Sequence, residues 1–362
     1  MTTGARSAAA AERKAVTIKP WTIVGTLVEM AVVGLDLGGT AINAVVMDTV
    51  SGRFLSDDLC EVPSRVLEGP EATQQALRDV FAKANELAGV DAEDVACVGL
   101  ATPGPASATG VLSSRGSTNF SALEWHGFDI RAAAEAALGR PVWYSNDGNA
   151  AALYGHLRHF GEESFRRSSV TAVVGTGLGG GVVIDGRIVT GAAGMAGELG
   201  HILIPLDDVL EPWQSTPVCN CGNAGDAESV ASLTAITKHL LPDWLRQHPE
   251  HPLAGRDPVE AARLLRGLAT DGDELALAVF RQQATALGRL FTMLSNVVDP
   301  DAFFVGGGVM EAGEQFRARF LADVAAAMSV REEQAGQLTV LATPDLDRAG
   351  ARGAAMAAAQ QI

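Results

Sequence analysis

Two short segments bring together side chains that can bind a hydroxyl-rich ligand and remove a proton from it. Asn146 and Asp147 follow an apolar stretch. A carboxylate there can accept the proton of an attacking hydroxyl as a general base, and an amide can donate to and accept from hydroxyl groups. Further along, Glu198, His201 and Glu228 can read the positions of adjacent hydroxyls. These residue types predict a site for a polyol.

The same residues also have plain structural interpretations, which the sequence leaves open. Asn146 and Asp147 could cap a helix that starts near Ala150. Glu198 and His201 could be a solvated carboxylate and a satisfied core imidazole, although the glycines that surround them in the sequence weaken that interpretation. Taken singly, the helix cap is the better explanation of the first pair.

Glycine-rich turns between apolar strands are suited to phosphate, because consecutive glycines let backbone N–H groups approach its oxygens. A carboxylate at a strand end can hold Mg²⁺ through water. The phosphate and Mg²⁺ candidates are Asp36, Gly38, Gly39, Thr40, Gly175, Thr176 and Gly177. A third glycine run contains Gly306 and Gly307, where an adenine or ribose could lie flat on the backbone. Ordinary hairpins and a strand-to-helix turn are the alternatives. Together with the polyol site, the turns predict phosphoryl transfer to a sugar.

Four further side chains could bind a structural Zn²⁺. His201, Cys219, Cys221 and Asp226 offer nitrogen, sulfur and oxygen ligands, and zinc takes four such ligands in a tetrahedron. A Cys-x-Cys pair alone is weak support, and a carboxylate is a poorer zinc ligand than a thiolate. The sequence therefore supports zinc binding and its absence about equally.

Bulk composition describes a globular chain and excludes several partners. The 362 residues are 47% apolar and 19% charged, and the formal net charge of -16 opposes binding to nucleic acid. No apolar run is long enough to span a membrane, and residues 1–29 lack the pattern of a signal peptide. Four cysteines in a chain of this length do not form a disulfide framework. We therefore expect a cytoplasmic protein with a disordered N-terminal extension at 1–29.

Strands and helices alternate along the chain, which predicts an α/β fold. Strands are predicted at 30–36, 41–48, 95–100, 142–144, 170–174, 181–184, 187–189, 303–305 and 338–342. Helices are predicted at 71–87, 130–138, 150–157, 228–241, 275–298 and 349–359. A strand–glycine turn–strand unit occurs at 32–47 and again at 171–184, which suggests an internal duplication with a cleft between two lobes.

The order of these motifs resembles that of the ROK family of sugar kinases and repressors, within the hexokinase–actin superfamily. The similarity extends from Met30 to the C-terminus. The motifs that carry it are Gly34–Thr40, Pro103-Gly104-Pro105, Asn119 with Trp125, Asn146-Asp147, Gly175–Gly181, Glu198–His201, Cys219–Glu228 and Gly306–Gly308. The resemblance implies a two-lobed, actin-like ATPase (ribonuclease H-like) fold. The smaller lobe would comprise 30–145 plus about 340–362, and the larger lobe 146–339.

The resemblance also implies ATP-dependent, Mg²⁺-assisted transfer to the 6-hydroxyl of glucose or a related sugar, with Asp147 as general base. The residues that would bind the sugar are Gly104, Asn119, Asn146, Glu198, His201 and Glu228. Asp36, Gly38, Gly39, Thr40, Thr176 and Gly177 would position the triphosphate. Family members are often homodimers or homotetramers, so we expect one of these states.

Three departures from the family pattern keep alternatives open. Ala41 stands where the family usually has Lys, Asp226 stands where it usually has a third zinc-binding Cys, and the stretch between His201 and Cys219 is longer than usual. The acceptor could instead be mannose, fructose, an N-acetylhexosamine or a cyclitol, and the donor could be polyphosphate. A sugar-sensing repressor is disfavoured, because residues 1–29 are too few for a helix-turn-helix domain and the net charge opposes DNA binding.

Overall fold

A computed structural model gives the structure, which describes residues 30–56, 60–104, 106–113, 120–345 and 348–362. Strands of the first sheet are β1 (Ala31–Leu37), β2 (Ala41–Asp48), β3 (Cys60–Pro63), β4 (Val95–Thr102) and β5 (Val142–Asn146). They lie in the order β3-β2-β1-β4-β5. Strand β2 is antiparallel to β1 and β3, whereas β4 is parallel to β1 and β5.

The second sheet repeats this pattern. Its strands are β6 (Ser169–Val174), β7 (Leu178–Ile184), β8 (Arg187–Ile188), β9 (Ala302–Gly306) and β10 (Thr339–Ala342). They lie in the order β10-β9-β6-β7-β8, with β7 antiparallel to its neighbours and β9 parallel to its own. Each strand therefore has a counterpart five strands earlier, as the recurring strand–turn–strand unit predicts.

Helices cover the sheets. They are α1 (Pro70–Ala88), α2 (Ile130–Leu138), α3 (Asp147–Phe160), α4 (Glu228–Ala231), α5 (Leu233–Ala235), a π-helix (Ile236–Leu240), α6 (Leu241–Gln247), α7 (Pro258–Thr270), α8 (Glu274–Val298), α9 (Glu314–Ala326), α10 (Glu332–Ala335) and α11 (Ala349–Ala359). Among the described helices, none is both long and apolar enough to cross a bilayer.

The prediction of one continuous helix over 228–241 is wrong. Ser232 has an extended backbone, with φ -91° and ψ 163°, and its side chain accepts a hydrogen bond from the N–H of Ala235. A serine in this position caps a new helix rather than continuing the old one. The break turns the N–H groups of Leu233 and Thr234 toward the loop between β6 and β7.

Helices α3 and α11 are packed against each other between the two sheets. Helix α11 lies on the first sheet, and α3 lies on the second. Glycines permit these close contacts, because a methyl group at Gly353 would overlap the carbonyl of Ala150, and one at Gly34 would overlap the backbone of α11. Gly181 of β7 faces α3 in the same way, with its nearest contact at Ala152. The alanine-rich sequence of α11 therefore brings the two halves together.

The outer faces of the sheets hold the larger cores. Helices α1 and α2 cover the first sheet through side chains such as Leu77, Val80 and Ile130. The longer set of helices from α4 to α9 covers the second, around Phe291 and Phe303. Apolar burial on both faces fixes the strands, so their ends can carry polar groups.

Candidate active site

Asn146 and Asp147 lie where the first sheet meets α3. Strand β5 ends at Asn146, and α3 begins at Asp147 rather than near Ala150. The helix starts early because the Oδ1 atom of Asn146 accepts hydrogen bonds from the N–H groups of Gly148 (2.8 Å) and Asn149 (3.4 Å). Asn146 is thus a helix cap, and its amide nitrogen still faces the neighbouring turn. The capping and ligand-binding interpretations are compatible.

Asp147 is placed among other carboxylates. Burial and the nearby charges of Asp36 and Glu198 together raise its pKa to about 7, although a hydrogen bond from the N–H of Gly148 lowers it. Burial likewise raises the pKa of Asp36 to about 6. A carboxyl group whose pKa lies near neutrality is suited to accept a proton from an alcohol, since both of its states are accessible.

Gly104, Asn146 and Glu198 come together at one wall of this site. A methyl group at Gly104 would lie 3.0 Å from Nδ2 of Asn146 and 3.5 Å from Oε1 of Glu198. Burial raises the pKa of Glu198, whereas His201 lowers it and Glu228 raises it. The predicted sugar-binding residues are therefore neighbours in space, except that Asn119 lies outside the described residues.

Glu228 holds the turn between β6 and β7. Its Oε2 atom accepts a hydrogen bond of 2.8 Å from the N–H of Leu178, and a methyl group at Gly177 would lie 2.5 Å from the same oxygen. The carbonyls of Gly175 and Thr176 accept hydrogen bonds from the N–H groups of residues 233 and 234 (2.9 and 3.1 Å). Among the described residues, no acceptor takes the N–H groups of Thr176 and Gly177. These groups are placed to meet an anion.

Two of the remaining glycines, Gly180 and Gly181, have a packing role, and β7 begins at Leu178 rather than at the predicted residue 181. Gly179, Gly180 and Gly181 lie inside β7. A methyl group at Gly180 would lie 2.9 Å from the Leu199 side chain, and one at Gly181 would lie 2.6 Å from Ala152. Only the first three glycine-turn residues, 175–177, form the loop itself.

The other two glycine segments differ in how they are packed. Gly38 donates to the carbonyl of Ala41 (2.9 Å), while Gly39 and Thr40 complete the hairpin. At the end of β9, Gly306 is followed by Gly307, whose φ of 83° and contact with the carbonyl of Val174 exclude a side chain. The strand-to-helix interpretation thus explains Gly307, whereas a methyl group at the next residue, Gly308, would meet open space.

The four predicted zinc ligands also come together, with their ligand atoms all within 4.8 Å of one another. Nδ1 of His201 lies 3.3 Å from Oδ2 of Asp226 and 3.8 Å from Sγ of Cys219, and Sγ of Cys221 lies 3.4 Å from Oδ2 of Asp226. Tetrahedral zinc with bonds of about 2.0–2.3 Å separates its ligand atoms by about 3.3–3.8 Å. The residues therefore fit a zinc ion.

Sequence reasoning missed Tyr144, which lies two residues before Asn146 on β5 and so faces the same side of the sheet. Its hydroxyl lies 3.0 Å from Oγ1 of Thr102, which in turn lies 3.3 Å from the carbonyl of Pro103. Burial raises the pKa of Tyr144 to about 12. The sequence signal for Tyr144 was its spacing of two residues from Asn146, which places both residues on the same face of the strand. The contacts tie Tyr144 to the turn that contains Gly104.

The chain is similar to known proteins over most of its length. The model of the ROK family matches residues 32–361. The chain is similar to the glucokinase of Thermotoga maritima, with 30% identity over 341 residues that cover 92% of this chain and 99% of the relative. The crystal structure of a ROK hexokinase from Thermus thermophilus is 32% identical, with a TM-score of 0.69 and coverage of 91% of this chain and 97% of that one.

A third similar protein was crystallised with ligands. It is a ROK family glucokinase from Streptomyces griseus in complex with glucose and AMPPNP, and it is 30% identical, with a TM-score of 0.68 and coverage of 92% of this chain and 100% of that one. Its likeness confirms the actin-like ATPase fold predicted for the two sheets. The chain belongs to the ROK family.

Proposed function

We propose that the protein is an ATP-dependent kinase that phosphorylates the 6-hydroxyl of glucose, with Asp147 as the general base. The observation that carries this proposal is the position of Asp147. Burial and the charges of Asp36 and Glu198, which lie close to its carboxylate, raise its pKa to about 7. The similarity to glucokinases supports glucose as acceptor and ATP as donor.

The chemical step follows from the placement of the side chains. Asn146, Glu198 and His201 would hold the ring hydroxyls so that the 6-hydroxyl lies beside Asp147. As the sugar oxygen bonds to the γ-phosphorus, its proton passes to Asp147, and the bond from phosphorus to the β,γ-bridging oxygen breaks. ADP leaves with that electron pair. The products are glucose 6-phosphate, ADP and a proton, which Asp147 releases to solvent.

The triphosphate would rest on the two glycine turns. In the second, the N–H groups of Thr176 and Gly177 have no acceptor among the described residues. Asp36 at the end of β1 would hold Mg²⁺, which neutralises charge on the phosphates. One carboxylate oxygen of Glu228 accepts the N–H of Leu178, and the other lies 3.1 Å from the sulfur of Cys219. Its contribution to sugar binding is therefore joined to the position of the second turn.

We also infer that the His201 cluster binds one structural Zn²⁺. The cluster fits the ion in ligand type and in spacing. Because Nδ1 of His201 faces the cluster, Nε2 stays available to the sugar. Zinc would thus fix a sugar-binding imidazole, with no part in the phosphoryl transfer itself.

The lobe boundaries and the oligomeric state are further proposals. We assign residues 30–145 with about 340–362 to the smaller lobe and residues 146–339 to the larger one, except that β10 stays with the second sheet in the larger lobe. The packing of α11 on the first sheet and of α3 on the second supports this division. We expect a homodimer or homotetramer, which light scattering at several protein concentrations would test.

A coupled assay for ADP tests the proposed function. Glucose, mannose, fructose, N-acetylglucosamine and a cyclitol are each supplied with ATP and Mg²⁺, with ATP alone as the control for hydrolysis. We expect the highest kcat/KM with glucose and product phosphorylated at the 6-hydroxyl, identified by NMR. Absence of turnover with every hexose contradicts the proposal, and a clear preference for another acceptor contradicts its substrate assignment.

A further inference from the structure

Arg266 on α7 is a cation without an acidic partner. Its Nη1 atom donates a 2.5 Å hydrogen bond to the carbonyl of Gly308. No carboxylate of the described residues forms an ion pair with it, and no other acceptor among them takes its side-chain N–H groups. Arg266 is half-buried in a chain whose net charge is -16. Four of the five guanidinium N–H groups are left for a ligand or for water.

The surroundings of Arg266 form a path that leads away from the phosphate-binding turn. Gly307 packs directly against the carbonyl of Val174, the residue before Gly175. Gly308 comes next, and the space above it is open, since a methyl group there would meet no atom within 4 Å. Arg266 lies beside this glycine surface, because it donates to the carbonyl of Gly308. Helix α7 also packs against the π-helix. Residues 233 and 234, which precede the π-helix, donate hydrogen bonds to the turn at 175–177.

We propose that Arg266 binds the nucleoside part of the phosphoryl donor by stacking its guanidinium on the purine. This inference rests on the proposed kinase function. With the phosphates at the turn of residues 175–177, a nucleoside that extends over the glycines reaches Arg266, while inorganic polyphosphate has no group to place there. The carbonyl of Gly308 holds the guanidinium at the edge of the surface, and a planar guanidinium stacks on aromatic faces. Arg266 therefore favours a nucleotide donor over polyphosphate.

The test compares Arg266→Gln with Arg263→Gln, a control on the same helix whose arginine is exposed. Calorimetry without sugar measures ADP and inorganic tripolyphosphate binding, and the coupled assay measures the KM for ATP and for glucose. We expect Arg266→Gln to weaken ADP binding and to raise the KM for ATP by about 3- to 30-fold. Tripolyphosphate binding, the KM for glucose and all properties of Arg263→Gln should be unchanged.

Two results overturn the inference. Unchanged ADP binding in Arg266→Gln would show that Arg266 does not contact the nucleotide. An equal loss of ADP and tripolyphosphate binding would show that Arg266 contacts the phosphates instead of the nucleoside. Arg266→Lys separates stacking from charge, because lysine keeps the charge without the plane, and full recovery of ADP binding in Arg266→Lys contradicts stacking. Failure of the wild-type protein to phosphorylate any hexose would contradict the kinase proposal instead, and the calorimetric comparison would still decide the role of Arg266.

Discussion

The two sheets have the same strand order, but their glycine turns are held in different ways. The turn between β1 and β2 is fixed within its own sheet, by hydrogen bonds to the carbonyls of Ala41 and Thr40. The turn between β6 and β7 is fixed from outside, by the Glu228 carboxylate and by the residues that follow Ser232. Duplication of the fold thus supplies two phosphate-type turns, whereas later helices make only the second turn dependent on its surroundings.

The helices that follow the fifth strand of each sheet show the same divergence. Helix α3 begins with Asp147, a carboxylate whose pKa the charges of Asp36 and Glu198 raise. Helix α11 begins with Ala349 and Gly350, and a methyl group at Gly350 would overlap the carboxylate of Asp36. The start of α3 supplies the proposed base. The start of α11 has residues small enough to leave room for Asp36, the proposed magnesium ligand. The repeated framework therefore carries two different chemical roles.

Replacing Asp147 with Asn should give the largest effect, because it removes the proposed base from the start of α3. Loss of a general base lowers the rate by about 10²–10⁴-fold. We expect kcat to fall by that amount, whereas the affinity for ADP should stay unchanged. A coupled assay and calorimetry measure the two quantities. If most activity survives, the base has been assigned to the wrong residue.

The same variant should unfold at a higher temperature than the wild type at pH 8. The folded pKa of Asp147, about 7, lies above its usual 3.8, so the folded state holds a proton that the unfolded state loses. This carboxyl's contribution to stability is therefore complete below its unfolded pKa and is lost as pH rises through about 7. The neutral amide of Asp147→Asn has no charge to bury, so the melting temperature of this variant should depend less on pH between about 4 and 8. Parallel pH dependences of the two proteins would contradict the raised pKa.

A pair of glycine substitutions separates packing from ligand binding. Gly353→Ala forces a methyl group into the carbonyl of Ala150, whereas a methyl group at Gly175 would meet no atom within 4 Å. We expect Gly353→Ala to lower the free energy of unfolding by about 1–3 kcal/mol or more. Gly175→Ala should change it by about 0.5 kcal/mol at most and should raise the KM for ATP. Denaturant titration measures the free energy of unfolding, and steady-state kinetics measure the KM. Similar stabilities of the two variants would contradict the assignment of Gly353 to packing and of Gly175 to ligand binding.

These glycines also show how far the sequence can predict the structure. The strand–turn–strand units could be predicted from period and turn chemistry, which are local properties. The resemblance in motif order predicted that Asn146, Asp147 and Glu198 are neighbours, and their roles stay predictions. The glycine run over 175–181 could be interpreted only in part. Whether a glycine faces a ligand or another backbone depends on tertiary contacts, such as that between Gly180 and Leu199, which no local pattern reports.

Tertiary context also explains the elements that were missed. The predicted helix over 228–241 is interrupted because Ser232 prefers to cap, and the freed N–H groups then hold the second turn. Arg266 lies on a helix that was not predicted, α7, and its relation to Gly308 spans 42 residues. Neither relation follows from the spacing of residues along the chain. The part of the site that lies beyond the motifs could therefore be identified only from the structure.

Removal of zinc should have the next largest effect, confined to the second half of the molecule. We expect metal analysis to find one Zn²⁺ per chain and Cys221→Ser to lose it, with a lower melting temperature and a raised KM for glucose. Asp226→Cys should bind zinc more tightly, because thiolate is the stronger ligand. Chelator treatment of wild type and both variants ranks their affinities, and a metal-free wild-type protein would contradict the site.

The pH dependence of catalysis should reflect the effect of the neighbouring carboxylates on the pKa of Asp147. Because Asp147 must be deprotonated to act as base, kcat/KM for glucose should rise with pH through a midpoint near 7. The charge of Glu198 raises that pKa, so Glu198→Gln should move the midpoint to lower pH, whatever it does to sugar affinity. Rate profiles from about pH 5 to 9 test the direction, and a midpoint that moves upward would show that Glu198 does not act on Asp147.

The smallest effect should come from Tyr144→Phe, which loosens the first half of the site without removing a ligand. In the wild type, the Tyr144 hydroxyl meets Thr102, which holds the turn that places Gly104 beside Asn146. Losing one neutral hydrogen bond costs about 0.5–1.5 kcal/mol, so the KM for glucose should rise by about 2- to 12-fold while kcat stays near its wild-type value. Trp143→Phe is the matched control, because the adjacent residue faces the other side of β5. A fall in kcat with constant KM would place Tyr144 in the chemistry instead, and no change would leave the turn independent of it.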